Sequence, residues 1–323
     1  MKMEKKDLRI VYMGTPDFAV ESLKALVEGG YNVVGVITMP DKPAGRGMKL
    51  QYSAVKQYAL EAGLPLLQPE KLKDEAFLTA LKAWKADLQI VVAFRMLPEV
   101  VWDMPEYGTF NLHASLLPQY RGAAPINWAV INGDKETGIT TFFLEHQIDT
   151  GNVIRQEKVA IEETDNAGIV HDKLMYLGAK LVLETVDQVL SGNLKATPQN
   201  EMADESSLRP APKIFKDTCR IDWTQSVDTV YNFIRGLAPY PAAWTELMDG
   251  EKGSMLKIYE TSREIVSHDL KPGTLLSDGK TYIKVALKDG FLRILSLQIA
   301  GKRRMDVDEF LRGFKLRDTM YLS

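Results

Sequence analysis

The sequence is poor in the residues that form disulfides and zinc sites. It contains one cysteine, Cys219, and four histidines among 323 residues. A single cysteine excludes an internal disulfide and fits a reducing compartment. The histidines are scattered and lack the spacing of zinc ligands. We therefore expect a cytoplasmic protein without a metal site.

Long apolar segments are also missing. No run approaches the roughly 20 apolar residues that a membrane-spanning helix needs. The N-terminus, Met1-Lys-Met-Glu-Lys-Lys-Asp7, contains neither the apolar stretch nor the small-residue cleavage site of a secretory signal. The sequence thus predicts no membrane span and no secretory leader.

The chain has an ordinary composition, with 45% apolar and 26% charged residues. At 323 residues it exceeds the size at which one core usually keeps growing, so two domains are expected. Its net charge is −3, but from Arg209 to the end 19 Lys and Arg oppose 15 Asp and Glu. A basic C-terminal part can meet nucleic-acid phosphates, although ordinary variation in surface charge explains the asymmetry as simply.

In the first half, short apolar segments alternate with amphipathic ones. The segments that read as strands are 8–13, 32–38, 87–94 and 109–113. Helical periodicity over 19–28 and 53–62 separates the first of them. This alternation predicts βαβ units and a mostly parallel, Rossmann-like α/β sheet, with functional loops at the carboxyl ends of its strands.

The second half has a different pattern. A polar segment with three prolines, 193–212, predicts a linker between domains at 1–192 and 213–323. Beyond it, Asp-Gly pairs at 249–250, 278–279 and 289–290 are hairpin signals. Consecutive antiparallel strands hide their edges by closing, so a small β-barrel is expected.

The densest group of chemically active residues lies between Asn111 and Gly122. Asn111 and His113 are two apart on a predicted strand and project to the same face. Asp149 begins an Asp-Thr-Gly turn that can approach the same sheet edge. Taken alone, Asn-x-His is more often structural and Asp-Thr-Gly more often a turn; an aspartic protease would need a second such loop.

These residue types suit acyl transfer to an amine without a covalent intermediate. An amine with a pKa near 8 has a usable neutral fraction at pH 7. Asn111 can donate a hydrogen bond to an oxyanion, and His113 can stabilise that charge. Asp149 can orient His113 or help to accept the amine proton.

Four motifs in order resemble the methionyl-tRNA formyltransferase family. They are Met13-Gly-Thr-Pro-Asp-Phe18, Asp41-Lys-Pro-Ala-Gly-Arg-Gly47, Asn111 to Gly122 with Ser115-Leu-Leu-Pro118, and Asp149-Thr-Gly151. The resemblance covers essentially the whole chain. It implies a Rossmann-like domain followed by an OB-like barrel, and formyl transfer from 10-formyltetrahydrofolate to initiator methionyl-tRNA.

The resemblance also assigns residues. It makes Asn111, His113 and Asp149 the catalytic trio. The segment implied to contact the folate consists of Ser115, Leu116, Leu117 and Pro118. The turn at Gly14 does not match Gly-x-Gly-x-x-Gly, so NAD binding is not expected.

Two basic segments are candidate tRNA contacts. Lys42, Arg46 and Lys49 lie in a loop whose glycines and proline break regular structure, and the resemblance implies that this loop binds the acceptor stem. Lys302, Arg303 and Arg304 form the densest basic patch of the expected barrel. A solvated loop and a basic turn would have the same composition.

Two segments depart from the family pattern, and two other functions stay open. Glu145–Ile148 and Phe94–Pro98 differ from their usual forms, so Arg95 is a candidate for altered folate contacts.

A sister formyltransferase for a nucleotide-sugar or ribonucleotide amine would share the trio but lack the basic loop. A non-catalytic RNA-binding protein would have lost the trio. We expect a monomer, since no dimerisation motif is evident.

Overall fold

The computed structural model describes residues 3–44 and 49–323. The chain packs into two compact units. Unit 1 comprises 1–122, 137–159 and 171–210, and unit 2 comprises 123–136, 160–170 and 211–323. Among the described helices, none is both long and apolar enough to cross a membrane.

Unit 1 is built on a seven-stranded sheet with a separate two-stranded ribbon. Its strands are β1 (Ile10–Gly14), β2 (Val33–Ile37), β3 (Lys42–Ala44), β4 (Lys49–Gln51), β5 (Leu66–Leu67), β6 (Leu88–Val92), β7 (Thr109–His113), β8 (Glu136–Phe143) and β9 (Val153–Ala160). The sheet order is β5-β2-β1-β6-β7-β8-β9, and β3 pairs with β4 in the ribbon. Along the sheet from β5 through β2, β1 and β6 to β7, adjacent strands are parallel. The pair of β7 and β8 is antiparallel. The predicted parallel-dominated α/β fold is confirmed.

The central strands are buried on both faces, which explains their continuous apolar sequence. All five residues of β1 and all five of β6 are buried. Strands covered by helices on both sides do not alternate apolar and polar residues, because both faces lie in the core. The carboxyl ends of β6 and β7 therefore present their following loops at one edge of the sheet.

Eight α-helices accompany the strands in the described ranges. They are α1 (Val20–Glu28), α2 (Ala54–Glu61), α3 (Glu75–Ala83), α4 (Glu99–Trp102), α5 (Pro125–Ile131), α6 (Ala167–Ser191), α7 (Val227–Leu237) and α8 (Val307–Gly313). Side-chain caps fix several starts: Ser53 accepts from the Lys56 amide, and Asp74 accepts from the Phe77 amide. Such caps satisfy amides that the first helical turn leaves unpaired.

The cap of α3 gives a stability prediction. Asp74→Ala is expected to lower the free energy of unfolding by about 1 kcal/mol, because the Phe77 amide loses its acceptor. Urea denaturation of the whole protein measures the change, with the exposed neighbour Lys73→Ala as the matched control. Equal effects of the two substitutions would contradict the capping role.

Unit 2 contains a nearly closed antiparallel barrel, as expected. Its strands are β10 (Ala243–Asp249), β11 (Lys252–Ile265), β12 (Leu275–Ser277), β13 (Ile283–Leu287), β14 (Gly290–Ile299), β15 (Met305–Asp306) and β16 (Tyr321–Leu322). The order is β12-β13-β14-β11-β10-β16, and a bridge between Thr274 and Tyr321 joins its two ends. Helix α7 packs on β11, and its apolar residues Val230 and Ile234 belong to the barrel core.

Two segments that were expected to be irregular have more structure than their composition suggested. The flanks of the basic loop form the β3–β4 ribbon, with Lys42 opposite Gln51. The segment 193–210 packs with unit 1, and Thr197 makes two backbone hydrogen bonds with Val153. The domain boundaries at 192 and 213 stay a prediction; packing places 123–136 and 160–170 in unit 2.

Candidate active site

Asn111 and His113 lie at the end of β7, and both face the same side of the sheet. Across the antiparallel pair, Asn111 is opposite Phe142 and His113 is opposite Thr140. The imidazole is 7% exposed and meets the Phe142 ring edge-on at a centroid distance of 6.3 Å. The strand alternation therefore presents an amide and an imidazole together on one face.

The hydrogen bond of His113 decides which ring nitrogen carries a proton. Nε2 lies 2.9 Å from the carbonyl oxygen of Tyr120. A carbonyl can only accept, so Nε2 must donate, and in a neutral ring Nδ1 keeps its lone pair. Nδ1 faces Asp149 Oδ2 at 3.9 Å, which is too long for a hydrogen bond. Two proton acceptors thus face each other beside the sheet edge.

Asp149 is held in an uncommon backbone conformation. Its φ is 57°, in the left-handed region that few residues other than glycine adopt. Its Oδ2 accepts a hydrogen bond of 2.9 Å from the Gly122 amide. At Gly151 a Cβ atom would lie 1.8 Å from the Phe143 carbonyl oxygen, so this position requires glycine. The loop geometry, rather than helix or strand packing, points the carboxylate at His113.

The side-chain oxygen of Asn111 is a buried polar atom without a hydrogen-bond partner in the described part of the chain. Among the described residues, none forms a hydrogen bond with Asn111 Oδ1, although the atom is buried. Buried polar groups are nearly always paired, so an orphan beside two other polar groups indicates a place for a ligand atom. Asn111 and His113 therefore share one face of β7, His113 faces Asp149, and the side-chain oxygen of Asn111 is unsatisfied by the residues described.

The segment Ser115–Pro118 is held by a contact within its own loop and by side chains of β8 and β9. The Ser115 hydroxyl donates to the Gln119 carbonyl at 2.6 Å, and Thr140 Oγ1 donates to the Ser115 carbonyl at 2.6 Å. Gln156 Nε2 donates to the Leu117 carbonyl at 2.7 Å. The side chains of Ser115, Leu117 and Pro118 are buried, and that of Leu116 is half-buried.

In the two atypical segments, Arg95 and His146 contact residues other than the trio. Arg95 donates 2.8 Å to the Glu70 carbonyl and also binds the Pro69 carbonyl, so its guanidinium ties two loops together. Burial lowers the pKa of Arg95. His146 is exposed, 3.5 Å from Glu99, with its ring edge-on to Trp102. His146 is therefore a surface residue.

Two models of known protein families match this chain. The family model for formyl transferase matches residues 8–186, and the model for the formyl transferase C-terminal domain matches 213–315. The chain belongs to the formyl transferase family.

Relatives of this formyl transferase are similar over nearly their whole length. A methionyl-tRNA formyltransferase of Bacteroides thetaiotaomicron is 70% identical over 317 residues, covering 98% of each chain. One of Flavobacterium johnsoniae is 55% identical, also covering 98% of each. The recognition made from the four motifs is confirmed.

Solved structures share the fold at lower identity. The N-formyltransferase of Helicobacter canadensis, in complex with folinic acid and dTDP-3-aminofucose, matches with a TM-score of 0.60 and 18% identity, over 92% of this chain and 100% of the other. HypX of Aquifex aeolicus, in complex with tetrahydrofolic acid, gives 0.62 and 19%, over 96% of this chain and 48% of HypX. These likenesses support the fold alone.

The basic ribbon of the formyl transferase is anchored at its base. Asp41 accepts hydrogen bonds from Lys56 and, at 2.8 Å, from Gln68 Nε2. These bonds, that from Lys56 first, hold the pKa of Asp41 below its ordinary value. The anchor therefore contributes stability at neutral pH and loses it as the pH falls through that lowered value. Lys42 is exposed beside it.

The other residues predicted in this loop carry less structural information. Arg46 lies outside the described residues, and Lys49 is described only as part of β4.

Among residues 3–44 and 49–323, no three His, Cys, Asp or Glu side chains cluster as metal ligands would. That the protein needs no metal stays a prediction.

The predicted basic patch of the barrel is partly neutralised. Arg303 forms a salt bridge with Glu309, and Arg304 forms one with Glu260. Arg304 also lies over the Tyr259 ring at 4.5 Å. Lys302 is exposed. The patch carries less free positive charge than its sequence suggested.

A second basic surface of unit 2 was missed from the sequence. A cleft of about 440 Å³ is lined by three lysines and three aromatic residues. They are Lys213, Lys216, Lys257, Phe215, Tyr240 and Trp244. Tyr240 is 83% exposed and Phe215 is 59% exposed. In the sequence, the signal for this surface is the run Lys213-Ile-Phe-Lys216, in which two lysines flank an aromatic residue.

Proposed function

We propose that this formyl transferase formylates the α-amino group of methionine on initiator methionyl-tRNA, using 10-formyltetrahydrofolate. The observation that carries the chemistry is the unpaired, buried Asn111 Oδ1 beside two facing acceptors, His113 Nδ1 and Asp149 Oδ2. The 70% identical relative named methionyl-tRNA formyltransferase supports the choice of acceptor. A folate-binding relative of the same fold supports the choice of donor.

In this reaction each member of the trio has its own role. The amide of Asn111 donates a hydrogen bond to the formyl oxygen as that oxygen gains negative charge. His113 Nδ1 can accept the proton that the amine loses, since Nε2 already donates to Tyr120. The adjacent Asp149 carboxylate then stabilises the imidazolium. Exchanging the oxygen and nitrogen positions of the Asn111 amide places Nδ2 at the unpaired position of Oδ1.

The folate is proposed to contact Ser115, Leu116, Leu117 and Pro118. Three of these side chains are buried, so backbone atoms and the half-buried Leu116 are the groups this segment offers. Thr140 and Gln156 hold its carbonyls in place. The amine nitrogen forms a bond to the formyl carbon of the donor, and the bond from that carbon to N10 of the folate breaks. N10 then takes up the proton that His113 accepted, so that tetrahydrofolate leaves.

The tRNA is proposed to contact the basic ribbon and unit 2. Lys42, Arg46 and Lys49 are proposed to bind the acceptor stem, and Lys302, Arg303 and Arg304 remain candidates on the barrel. The cleft with Lys213 and Lys216 adds a surface where cations and exposed rings occur together. Such surfaces bind phosphates and stack unpaired bases.

The cleft gives a quantitative prediction. The double variant Lys213→Ala/Lys216→Ala is expected to weaken tRNA binding and reduce the slope of log K against log salt by about one to two, because two phosphate contacts disappear. Titration of labelled tRNA at several salt concentrations measures both. Lys280→Ala, an exposed lysine of another barrel turn, is the control. An unchanged slope would remove the cleft from the interface.

A sister activity on a nucleotide-sugar amine is the second candidate. The Helicobacter canadensis enzyme, whose structure contains an amino sugar nucleotide, shares the fold at 18% identity. Its similarity is far below that of the methionyl-tRNA formyltransferases. The monomeric state, the cytoplasmic location and the domain limits 1–192 and 213–323 are also proposals.

The direct test is formyl transfer from 10-formyltetrahydrofolate to charged initiator tRNA. We expect N-formylmethionyl-tRNA with the wild type and a kcat lower by about 10²- to 10⁴-fold in folded Asp149→Asn. Parallel reactions with amino sugar nucleotides separate the two candidates. A folded protein that binds folate but formylates only the sugar would overturn the proposed acceptor.

A further inference from the structure

Gln199 is a buried amide with all of its hydrogen-bonding capacity in use. It is 3% exposed and lies in a short 3-10 helix, Gln199–Glu201, of the segment expected to be a linker. Its Nε2 donates to the carbonyl of Asp149 at 2.9 Å and to that of Gly151 at 2.8 Å. A single side chain therefore holds both ends of the Asp-Thr-Gly turn.

The oxygen of the same amide binds the loop that follows β7, and this loop also contacts His113. Gln199 Oε1 accepts from Arg121 Nε at 3.0 Å and from Arg121 Nη2 at 2.8 Å. Residues on either side of Arg121 bind the trio: the Tyr120 carbonyl accepts from His113, and the Gly122 amide donates to Asp149. The hydrogen bonds thus form a closed ring through Asp149, Gly122, Arg121 and Gln199.

The backbone of Gln199 is itself fixed. Two residues earlier, Thr197 exchanges two hydrogen bonds of 2.8 Å with Val153, just beyond the turn. The amide therefore approaches the turn from an anchored position. Asp149 needs such support, because a left-handed backbone at a residue other than glycine persists only when its surroundings hold it.

We propose that Gln199 is a positioning residue, which acts through Asp149 by fixing the turn so that the carboxylate faces His113 Nδ1. This inference rests on the proposed formyl transfer. A glutamine that only filled space would need neither the two donor contacts nor the two acceptor contacts. Gln199 touches no reacting atom, so its effect must appear in kcat and depend on the Asp149 carboxylate.

Two variants separate the two halves of the amide. Gln199→Met removes all four hydrogen bonds at similar size, whereas Gln199→Glu keeps an acceptor for Arg121 and loses the donors to the turn. Both are expected to lower kcat by about ten- to a hundredfold, the scale of a displacement near 1 Å, with KM for both substrates nearly unchanged. Gln188→Met, on α6, is the control for the exchange itself.

A double-mutant cycle with Asp149→Asn tests the route of the effect. We expect the kcat loss from Gln199→Glu to disappear in the Asp149→Asn background, because the group being positioned is gone. An equal loss in both backgrounds would overturn the proposal. The variants must also retain the wild-type circular dichroism spectrum.

Hydrogen exchange provides a readout that needs no substrate. Amides of the Asp149 turn, residues 145–152, are expected to exchange faster in both variants, with β1 and β6 unchanged. Unaltered exchange in this turn would overturn the inference even if the acceptor were different. Wild-type inactivity toward methionyl-tRNA would instead remove the proposed function, so the two failures are distinguishable.

Discussion

Replacing His113 with glutamine is expected to lower kcat for formyl transfer by about 10²- to 10⁴-fold, the usual contribution of a positioned acid–base group. Glutamine offers a donor for the Tyr120 carbonyl, which His113 Nε2 now occupies. It removes the lone pair that faces Asp149 at 3.9 Å. Formation of N-formylmethionyl-tRNA under saturating substrates measures the loss.

The control for His113 is the exposed imidazole of the same unit. His146→Gln is expected to keep kcat close to wild type, because that ring is exposed and contacts Glu99 and Trp102 at the surface. Comparable losses in the two variants would indicate that substitution disturbs the loops rather than the chemistry. A His113→Gln enzyme with near-normal kcat would exclude the imidazole as proton acceptor.

Replacing Asn111 with aspartate is expected to lower kcat by about 10²- to 10³-fold, with smaller changes in KM. The two side chains have nearly the same size, so the packing opposite Phe142 is kept. Aspartate cannot donate to the formyl oxygen, and when ionised it repels the charge that develops there. Steady-state kinetics with both substrates varied separate kcat from KM.

The matched control for Asn111 is Asn32→Asp. Asn32 donates to the Lys6 carbonyl at 2.9 Å, away from the carboxyl edge of the sheet. It reports the general cost of adding a negative charge to unit 1. If Asn111→Asp raises KM and leaves kcat unchanged, then the amide binds substrate equally in the ground and transition states. In that case Asn111 is not an oxyanion donor.

The sequence by itself determined the α/β unit and the barrel, and it predicted the members of the trio. Apolar runs such as 87–94 predict buried strands because both faces of a central parallel strand lie in the core. The two-residue spacing of Asn111 and His113 fixes their common face, since side chains of a strand alternate. Asp-Gly pairs marked the turns of the barrel because they accept positive φ.

Only the tertiary structure decided how the trio is held. Asp149 adopts its left-handed backbone because contacts from distant chain segments, Gly122 and Gln199, support it. No local pattern encodes a hydrogen bond between residues 50 apart in sequence. For the same reason Arg303 and Arg304 read as free charge in sequence, whereas folding pairs them with Glu309 and Glu260. Local periodicity specifies elements; partners across the fold depend on packing that brings distant residues together.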